Sequence, residues 1–321
     1  MGIPRPPGLA TPAPTADNHP AMLDHVLTLI AAESGAALAP GLIAELRQNL
    51  YRLGAEVGQP DWLKPGFVCD LDYADLNDDQ ADAIARQLLD GLPVDVVAQP
   101  KPDRRKRLLV ADMESTLIRN EMLDELAGYV GLRAEIAAIT ARAMNGELDF
   151  EGAVEERVAL LAGLPESVLE DSAARMVLMP GARALVATMR AQGAGSIIVS
   201  GGFRFYTRKV AALLGVGAEF GNELEIEGGT LTGKVLKPIL GRQAKFDTLV
   251  GQAATAGLPL AATLAVGDGA NDLDMILAAG LGIAFHAKPI VAERAKWRIE
   301  HGDLTALLYA QGYRAEEIVT G

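Results

Sequence analysis

Residues 107–118 read RLLVADMESTLI. Leu108, Leu109 and Val110 form a continuous apolar run, as a strand buried on both faces requires, and Asp112 and Glu114 flank Met113 directly after it. Two carboxylates at the end of such a strand can be a catalytic pair, a metal site or a surface turn. The segments on either side decide the fold. GSIIVSGG (195–202) and TLAVGDG (263–269) repeat the pattern of a short apolar run ending in polar and glycine residues. Between and after them lie helical patterns at PGARALVATMRAQG (180–193), with proline in its first turn and Gly193 at its end, and at FRFYTRKVAALLG (203–215) and KFDTLVGQAATAG (245–257). LEIEGGTLTGKVL (224–236) alternates around Gly228 and Gly229 as a hairpin, and the series DLDMILAAG, LGIAFH and VAERAKWRI continues helix and strand to residue 299.

Strands separated by helices predict an α/β fold with a doubly wound parallel sheet, whose ligand site lies at the carboxyl ends of the strands. A run of apolar-periodic helices at about 119–180 interrupts the alternation and reads as an inserted helical cap. The expected organisation is a proline-rich disordered tail over 1–20, a small α+β unit of roughly ferredoxin-like character over 21–100, and the α/β unit over 101–321. In the small unit MLDHVLTLI, WLKPGFVCDLDY and LPVDVVAQ are strand-like and PGLIAELRQNLYRLG and NDDQADAIARQLLDG are amphipathic, while QPKPDRRKR (99–107) reads as a linker.

Composition narrows the function. The 321 residues are half apolar and carry a net charge of −13, with no basic face beyond Arg104–Arg107, which argues against nucleic-acid binding. A small anionic substrate would be repelled by that field, so its site must bring its own cations or a metal. Cys69 is the single cysteine and His19, His25, His286 and His301 show no helical metal spacing, which excludes an intramolecular disulfide and a cysteine-clustered metal site. The first twenty residues lack the apolar core of a signal peptide, and no stretch has about 18 uninterrupted apolar residues, so no membrane span is expected and the expected location is cytoplasmic.

Asp112, Ser200 and Asp268 each stand where a predicted strand ends, and Lys245 opens the helix after the hairpin. Taken singly, each has a plain reading as a turn, cap or solvated residue. Together, two carboxylates, a hydroxyl and an ammonium in one crevice suit Mg²⁺ and a phosphoryl group, because hard oxygen ligands suit the ion and cations offset phosphoryl charge. GGTLTGKV (228–235) has the glycine and lysine spacing of a P-loop, but Val235 replaces the required hydroxyl residue and the flanks read as hairpin strands, so ATP binding is not expected. GDGANDLD does not fit a calcium loop, because Ala270 stands at a ligand position.

DMEST, SGGF, Lys245 and GDGAND resemble the four motifs of the haloacid dehalogenase superfamily. ESTLIRNEMLDELA, ELDFEGAVEERVALLAGLP and IVSGGF resemble the phosphoserine phosphatases within it, over roughly residues 104–313; the first hundred residues bear a vaguer likeness to small regulatory ACT-like domains. The resemblance implies a Mg²⁺-dependent hydrolysis of O-phospho-L-serine, the last step of L-serine biosynthesis. It implies Asp112 as nucleophile and Mg²⁺ on the Asp112 carboxylate, the backbone carbonyl of Glu114 and Asp268. Ser200, the Gly201 N–H and Lys245 would hold phosphoryl oxygens, with Asn271 and Asp272 orienting the site. Glu121 would meet the substrate ammonium, Arg157 its carboxylate, and Phe150 would close over both.

The family pattern has aspartate where this chain has Glu114, the residue that would protonate the leaving oxygen and then deprotonate water. Its extra methylene displaces the carboxylate by up to about 1 Å, a shift able to cost on the order of a hundredfold if uncompensated. Two rivals follow. A phosphoserine:homoserine phosphotransferase also carries glutamate there, although Thr116 and the long cap segment favour the hydrolase. A signalling receiver also phosphorylates a strand-end aspartate, but has no insertion after that strand. A phosphatase of another small phosphomonoester is a further alternative, and the oligomeric state, a homodimer included, is left open.

Overall fold

The computed structural model describes residues 22–32, 35, 37–144 and 147–320. The tail expected over residues 1–20 lies outside the described residues.

The N-terminal unit runs β1 (His25–Ala31), α1 (Pro40–Arg52), β2 (Glu56–Val57), β3 (Asp61–Lys64), β4 (Val68–Ala74), α2 (Asp78–Leu88) and β5 (Val94–Pro100). Its antiparallel sheet has the order β2-β4-β1-β5, with β3 also on β4, an arrangement of the ferredoxin-like kind. WLKPGFVCDLDY is two strands, not one: residues 65–67 turn the chain back so that β3 pairs with β4. Strand β1 reads HVLTLIA without alternation because both its faces are covered. Leu27 and Leu29 pack with Leu46 and Leu50 of α1, whereas Ile30 joins the core of the second unit.

That second unit contains β6 (Leu108–Ala111), then the helices α3 (Met122–Val130), α4 (Arg133–Met144), α5 (Phe150–Ala159) and α6 (Ser167–Ala173). It continues with α7 (Ala182–Ala191), β7 (Gly195–Phe203), α8 (Arg204–Leu214), β8 (Ala218–Asn222), the hairpin β9 (Leu224–Glu227) and β10 (Thr230–Val235), and α9 (Arg242–Thr255). The last elements are β11 (Thr263–Gly267), α10 (Leu273–Ala278), β12 (Leu281–Phe285), α11 (Pro289–Ala292), β13 (Trp297–Ile299) and α12 (Ala306–Ala310). Six parallel strands take the order β13-β12-β11-β6-β7-β8, so the chain winds outward from β6 in both directions. Strands β6, β11 and β12 are buried throughout, as their unbroken apolar text required.

Helices α3–α6 form the inserted cap. It joins the sheet unit through two paired segments, since Arg119 N–H donates to Val177 O at 2.8 Å and Met179 N–H to Leu117 O at 2.9 Å. The hairpin braces it from the other side: Gly163 N–H donates to Leu231 O and Leu231 N–H to Leu164 O, both at 2.9 Å. Three local readings shift. Helix α7 starts after Gly181, leaving Pro180 outside it; α9 starts at Arg242, so Lys245 is its fourth residue; and Ser200 lies within β7, at a register irregularity between Val199 and Phe203, not after its end.

The stretch read as a linker is not a free one. Arg104 is drawn to the buried Asp70 at 2.6 Å, and the Lys106 ammonium donates to Asp103 O and Ala261 O. Across the same junction Trp297 Nε1–H donates to Ala98 O at 2.7 Å, and the buried Asp95 accepts the N–H groups of Glu300 and Gly302, both at 2.7 Å. Asp95→Ala leaves those donors without their acceptor and is expected to cost about 2–4 kcal/mol in chemical denaturation. A change below about 0.5 kcal/mol would show that water replaces the carboxylate there. Among the described residues no helix is long and apolar enough to cross a membrane.

Candidate active site

Asp112 follows β6 directly, its N–H donating to Val266 O of β11 at 3.0 Å, which places its carboxylate at the carboxyl edge of the sheet. The chain then coils tightly, with Leu117 and Ile118 N–H both on Met113 O and Ser115 in the left-handed region at φ 52°. This coil sends Glu114 up toward the cap. Its Oε1 accepts the Met122 N–H at 2.7 Å and so satisfies a free donor in the first turn of α3, where an anion is favoured. The space for the longer side chain comes from Gly202: a Cβ there would stand 2.6 Å from Glu114 Oε2. Burial, then the charge of Glu121, pushes the Glu114 carboxyl up to about 8, against the pull of the Met122 N–H. Both influences favour the protonated form.

The buried Lys245 ammonium lies 2.7 Å from Asp112 Oδ2 and 2.5 Å from Asp272 Oδ1. Burial alone would lower the ammonium, but the two carboxylates outweigh it and hold it above its ordinary value. Burial and the Asp272 charge push Asp112 upward while Lys245 opposes them; at 2.7 Å the ion pair is the arrangement the geometry supports. Asp272 Oδ2 also accepts the Gly269 N–H at 2.9 Å, and its carboxylate packs so close to Gly267 that a Cβ there would stand 2.3 Å from Asp272 Cγ. Glycine at 267 is thus needed to seat Asp272. Asp268 is pushed up to about 6 by burial and by Asp272.

Asp112, Asp268 and Asp272 each offer an oxygen within 4.8 Å of the others, and all three are buried. This donor set fits a hard divalent cation such as Mg²⁺. Buried carboxylates this close repel each other unless a cation joins them, and Lys245 neutralises only part of the charge.

A cavity of about 630 Å³ opens over these groups. The sheet unit contributes Asp112, Ser200, Gly201, Asp268 and Asn271, the loop after β6 contributes Glu114, and the cap contributes Glu121, Phe150 and Arg157. All the residues singled out in the sequence meet there except Lys245 and Asp272, which lie beneath its floor in the ion cluster. The cap residues are seated by local rules. Asp149 caps α5 by accepting the Gly152 N–H at 2.8 Å, which launches the helix bearing Phe150 and Arg157. The Phe150 ring lies over Gly201 and Gly241, and Arg157 donates to Ala153 O at 2.9 Å. Glu121 accepts from Ser115 Oγ at 2.7 Å. A hollow of about 660 Å³ beside Asp24, His25 and Lys296 is comparable in size, but it is lined almost wholly by the N-terminal unit and does not lie over the Asp112 cluster.

The roles of three further residues of the site were not read from the sequence. Asn222, buried at the end of β8, donates to Gly201 O at 2.8 Å and accepts the Leu240 N–H at 2.7 Å, holding the Ser200–Gly202 turn against the next loop. Gly202 lies within the SGGF motif, but the room it leaves for Glu114 depends on a contact that the motif does not show. Lys288 lines the cavity from the far side, 3.8 Å from Asp268.

A family model for haloacid dehalogenase-like hydrolases matches residues 109–277, which is more than half of the chain. The chain belongs to that family. Among curated relatives, a phosphoserine phosphatase of Streptomyces coelicolor is 46% identical over 228 residues, covering 71% of this chain and 56% of that protein. A phosphoserine phosphatase of Streptococcus thermophilus is 46% identical over 199 residues, covering 62% of this chain and 93% of its own. Among solved structures, a haloacid dehalogenase family hydrolase from Salmonella enterica serovar Typhi superposes with a TM-score of 0.80 at 29% identity, covering 90% of this chain and 98% of that one. The chain thus spans little more than half the length of relatives such as the first. This haloacid dehalogenase-like hydrolase has the α/β core, the inserted cap and the small N-terminal α+β unit that its sequence led one to expect.

Proposed function

We propose that this hydrolase is a Mg²⁺-dependent phosphoserine phosphatase, releasing L-serine and phosphate from O-phospho-L-serine. The observation that carries the reading is the pairing within one cavity. At its sheet end is the Asp112–Lys245–Asp272 cluster, and on its cap side Glu121 and Arg157 stand ready for an ammonium and a carboxylate. The curated phosphoserine phosphatases similar to this chain support it.

In this mechanism Arg157 offers its planar fork to the substrate carboxylate and Glu121 its charge to the ammonium, which sets the phosphoryl group over Asp112. The Asp112 carboxylate attacks phosphorus and the bond from phosphorus to the serine oxygen breaks, the leaving oxygen taking the proton held by Glu114. Ser200 and the Gly201 N–H hold the phosphoryl oxygens as charge shifts among them, and Lys245, beneath the floor beside Asp112, offsets that charge from within the ion cluster. Glu114, now a carboxylate, takes a proton from water, whose oxygen attacks the phosphorus of the aspartyl-phosphate and frees Asp112. Asp112 and Asp268, with the Glu114 backbone carbonyl, would hold Mg²⁺, with Asp272 beside them. The ion would supply positive charge against the phosphoryl oxygens.

The test is phosphate release from O-phospho-L-serine with Mg²⁺, with and without homoserine. Free phosphate in both is expected; phosphate recovered only as phosphohomoserine would replace hydrolysis by transfer. Within that assay Arg157→Ala is expected to raise KM for phosphoserine by about tenfold or more and to spare an aryl phosphate, since Arg157 serves only the amino-acid end. Equal losses on both substrates would make Arg157 structural.

A further inference from the structure

The two ends of the cavity are unequally supplied with positive charge. Arg157 stands at the cap side, whereas Lys245 at the sheet side is buried and already shared between Asp112 and Asp272. Among the described residues the other charged side chains on the walls are the acidic Asp112, Glu121, Asp149 and Asp268, with Lys288 as the exception. A phosphomonoester dianion entering from solvent therefore approaches a net negative mouth on a chain of charge −13.

Lys288 is presented there by a rigid turn. After β12, His286 adopts the left-handed region at φ 44°, its N–H donating to Ile299 O at 2.8 Å and its Nε2 bonded to Gly302 O at 2.8 Å. Two residues on, the Lys288 N–H donates to Asp268 O at 3.0 Å, and Pro289 begins α11. The backbone is tied down on both sides of Ala287 while the side chain is 67% exposed and lies 3.8 Å from Asp268 Oδ2, beyond hydrogen-bond length. Lys288 also lines the adjoining cavity of about 420 Å³ that holds Glu114, Glu121 and Arg157. It stands where the two chambers meet.

We propose that Lys288 is the capture residue for the phosphoryl group: its ammonium meets the incoming dianion at the cavity mouth and contacts a non-bridging phosphoryl oxygen in the bound substrate. The proposal deepens the phosphatase reading and rests on it only for the identity of the substrate. Because the contact exists in ground and transition states alike, it serves binding and leaves the chemical step alone.

The experiment compares wild type with Lys288→Met, Lys288→Arg and Lys288→Glu on phosphoserine and on an aryl phosphate across ionic strength, and measures inorganic phosphate affinity by calorimetry. Lys288→Met is expected to raise KM about tenfold on both substrates with kcat within about twofold. It should flatten the salt dependence of kcat/KM and weaken phosphate binding by a similar factor. Lys288→Arg should restore most of the loss and Lys288→Glu deepen it. Unchanged KM, salt slope and phosphate affinity in Lys288→Met would overturn the proposal. So would tighter Mg²⁺ binding as its sole effect, which would make Lys288 a counter-charge to Asp268. If wild type fails to turn over phosphoserine, the phosphatase reading falls by itself, and the aryl phosphate and inorganic phosphate arms still decide the role of Lys288.

Discussion

Asp112→Asn is expected to abolish turnover, to below a few per cent of wild type on any phosphomonoester, while leaving the protein folded. The amide keeps the shape of the side chain and can still accept the Met113 N–H that Asp112 Oδ1 takes at 2.7 Å. The backbone bond from residue 112 to Val266 O does not involve the side chain. Lys245 loses one of its two partners but keeps Asp272. A strongly destabilising charge is therefore not left alone, and the melting temperature should move by only a few degrees. The amide cannot form the acyl-phosphate bond, so the divided route through a covalent intermediate is closed. Residual turnover above a few per cent, in protein free of wild type, would remove Asp112 from the nucleophile role.

Glu114→Gln is expected to be as inactive, and Glu114→Asp to remain active within about a hundredfold of wild type. Glutamine is isosteric and can keep the bond from the Met122 N–H, so it isolates the proton from the geometry. Burial and Glu121 favour the protonated form of Glu114, as an acid for the leaving oxygen needs. Aspartate restores the chemistry with a shorter arm, which draws back from Met122 N–H and from the space over Gly202. The comparison is read in single-turnover phosphate release for all three proteins. Turnover by Glu114→Gln near the wild-type rate would mean that the proton is handled elsewhere; an inactive Glu114→Asp would mean that the longer arm is required and not merely tolerated.

The question that the sequence raised about Glu114 has a structural answer. The extra methylene carries the carboxylate to the first turn of the cap, where a helix N-terminus is short of an acceptor, and into room left by a missing Cβ at Gly202. Neither partner is near in the chain: one lies 8 residues away and the other belongs to β7. The pairing of Lys245 with Asp272, 27 residues apart, was invisible for the same reason. Each reads alone as a helix or turn residue, and only the packing of α9 against α10 makes them a buried ion pair.

The sequence by itself determined the parallel α/β core, because unbroken apolar runs separated by amphipathic helices bury a sheet on both faces in only a few ways. It determined the strand ends where Asp112 and Asp268 stand, since side chains that follow a buried strand must emerge at its carboxyl edge. Only the tertiary structure decided which charges are shared. Lys245 is spent within the buried cluster, Glu114 is docked on the cap, and Lys288, an unremarked residue after β12, is left facing the mouth of the site. The physical reason is range: local pattern follows from neighbours along the chain, whereas the charge state and reach of a catalytic group follow from whatever the fold brings within a few ångströms of it.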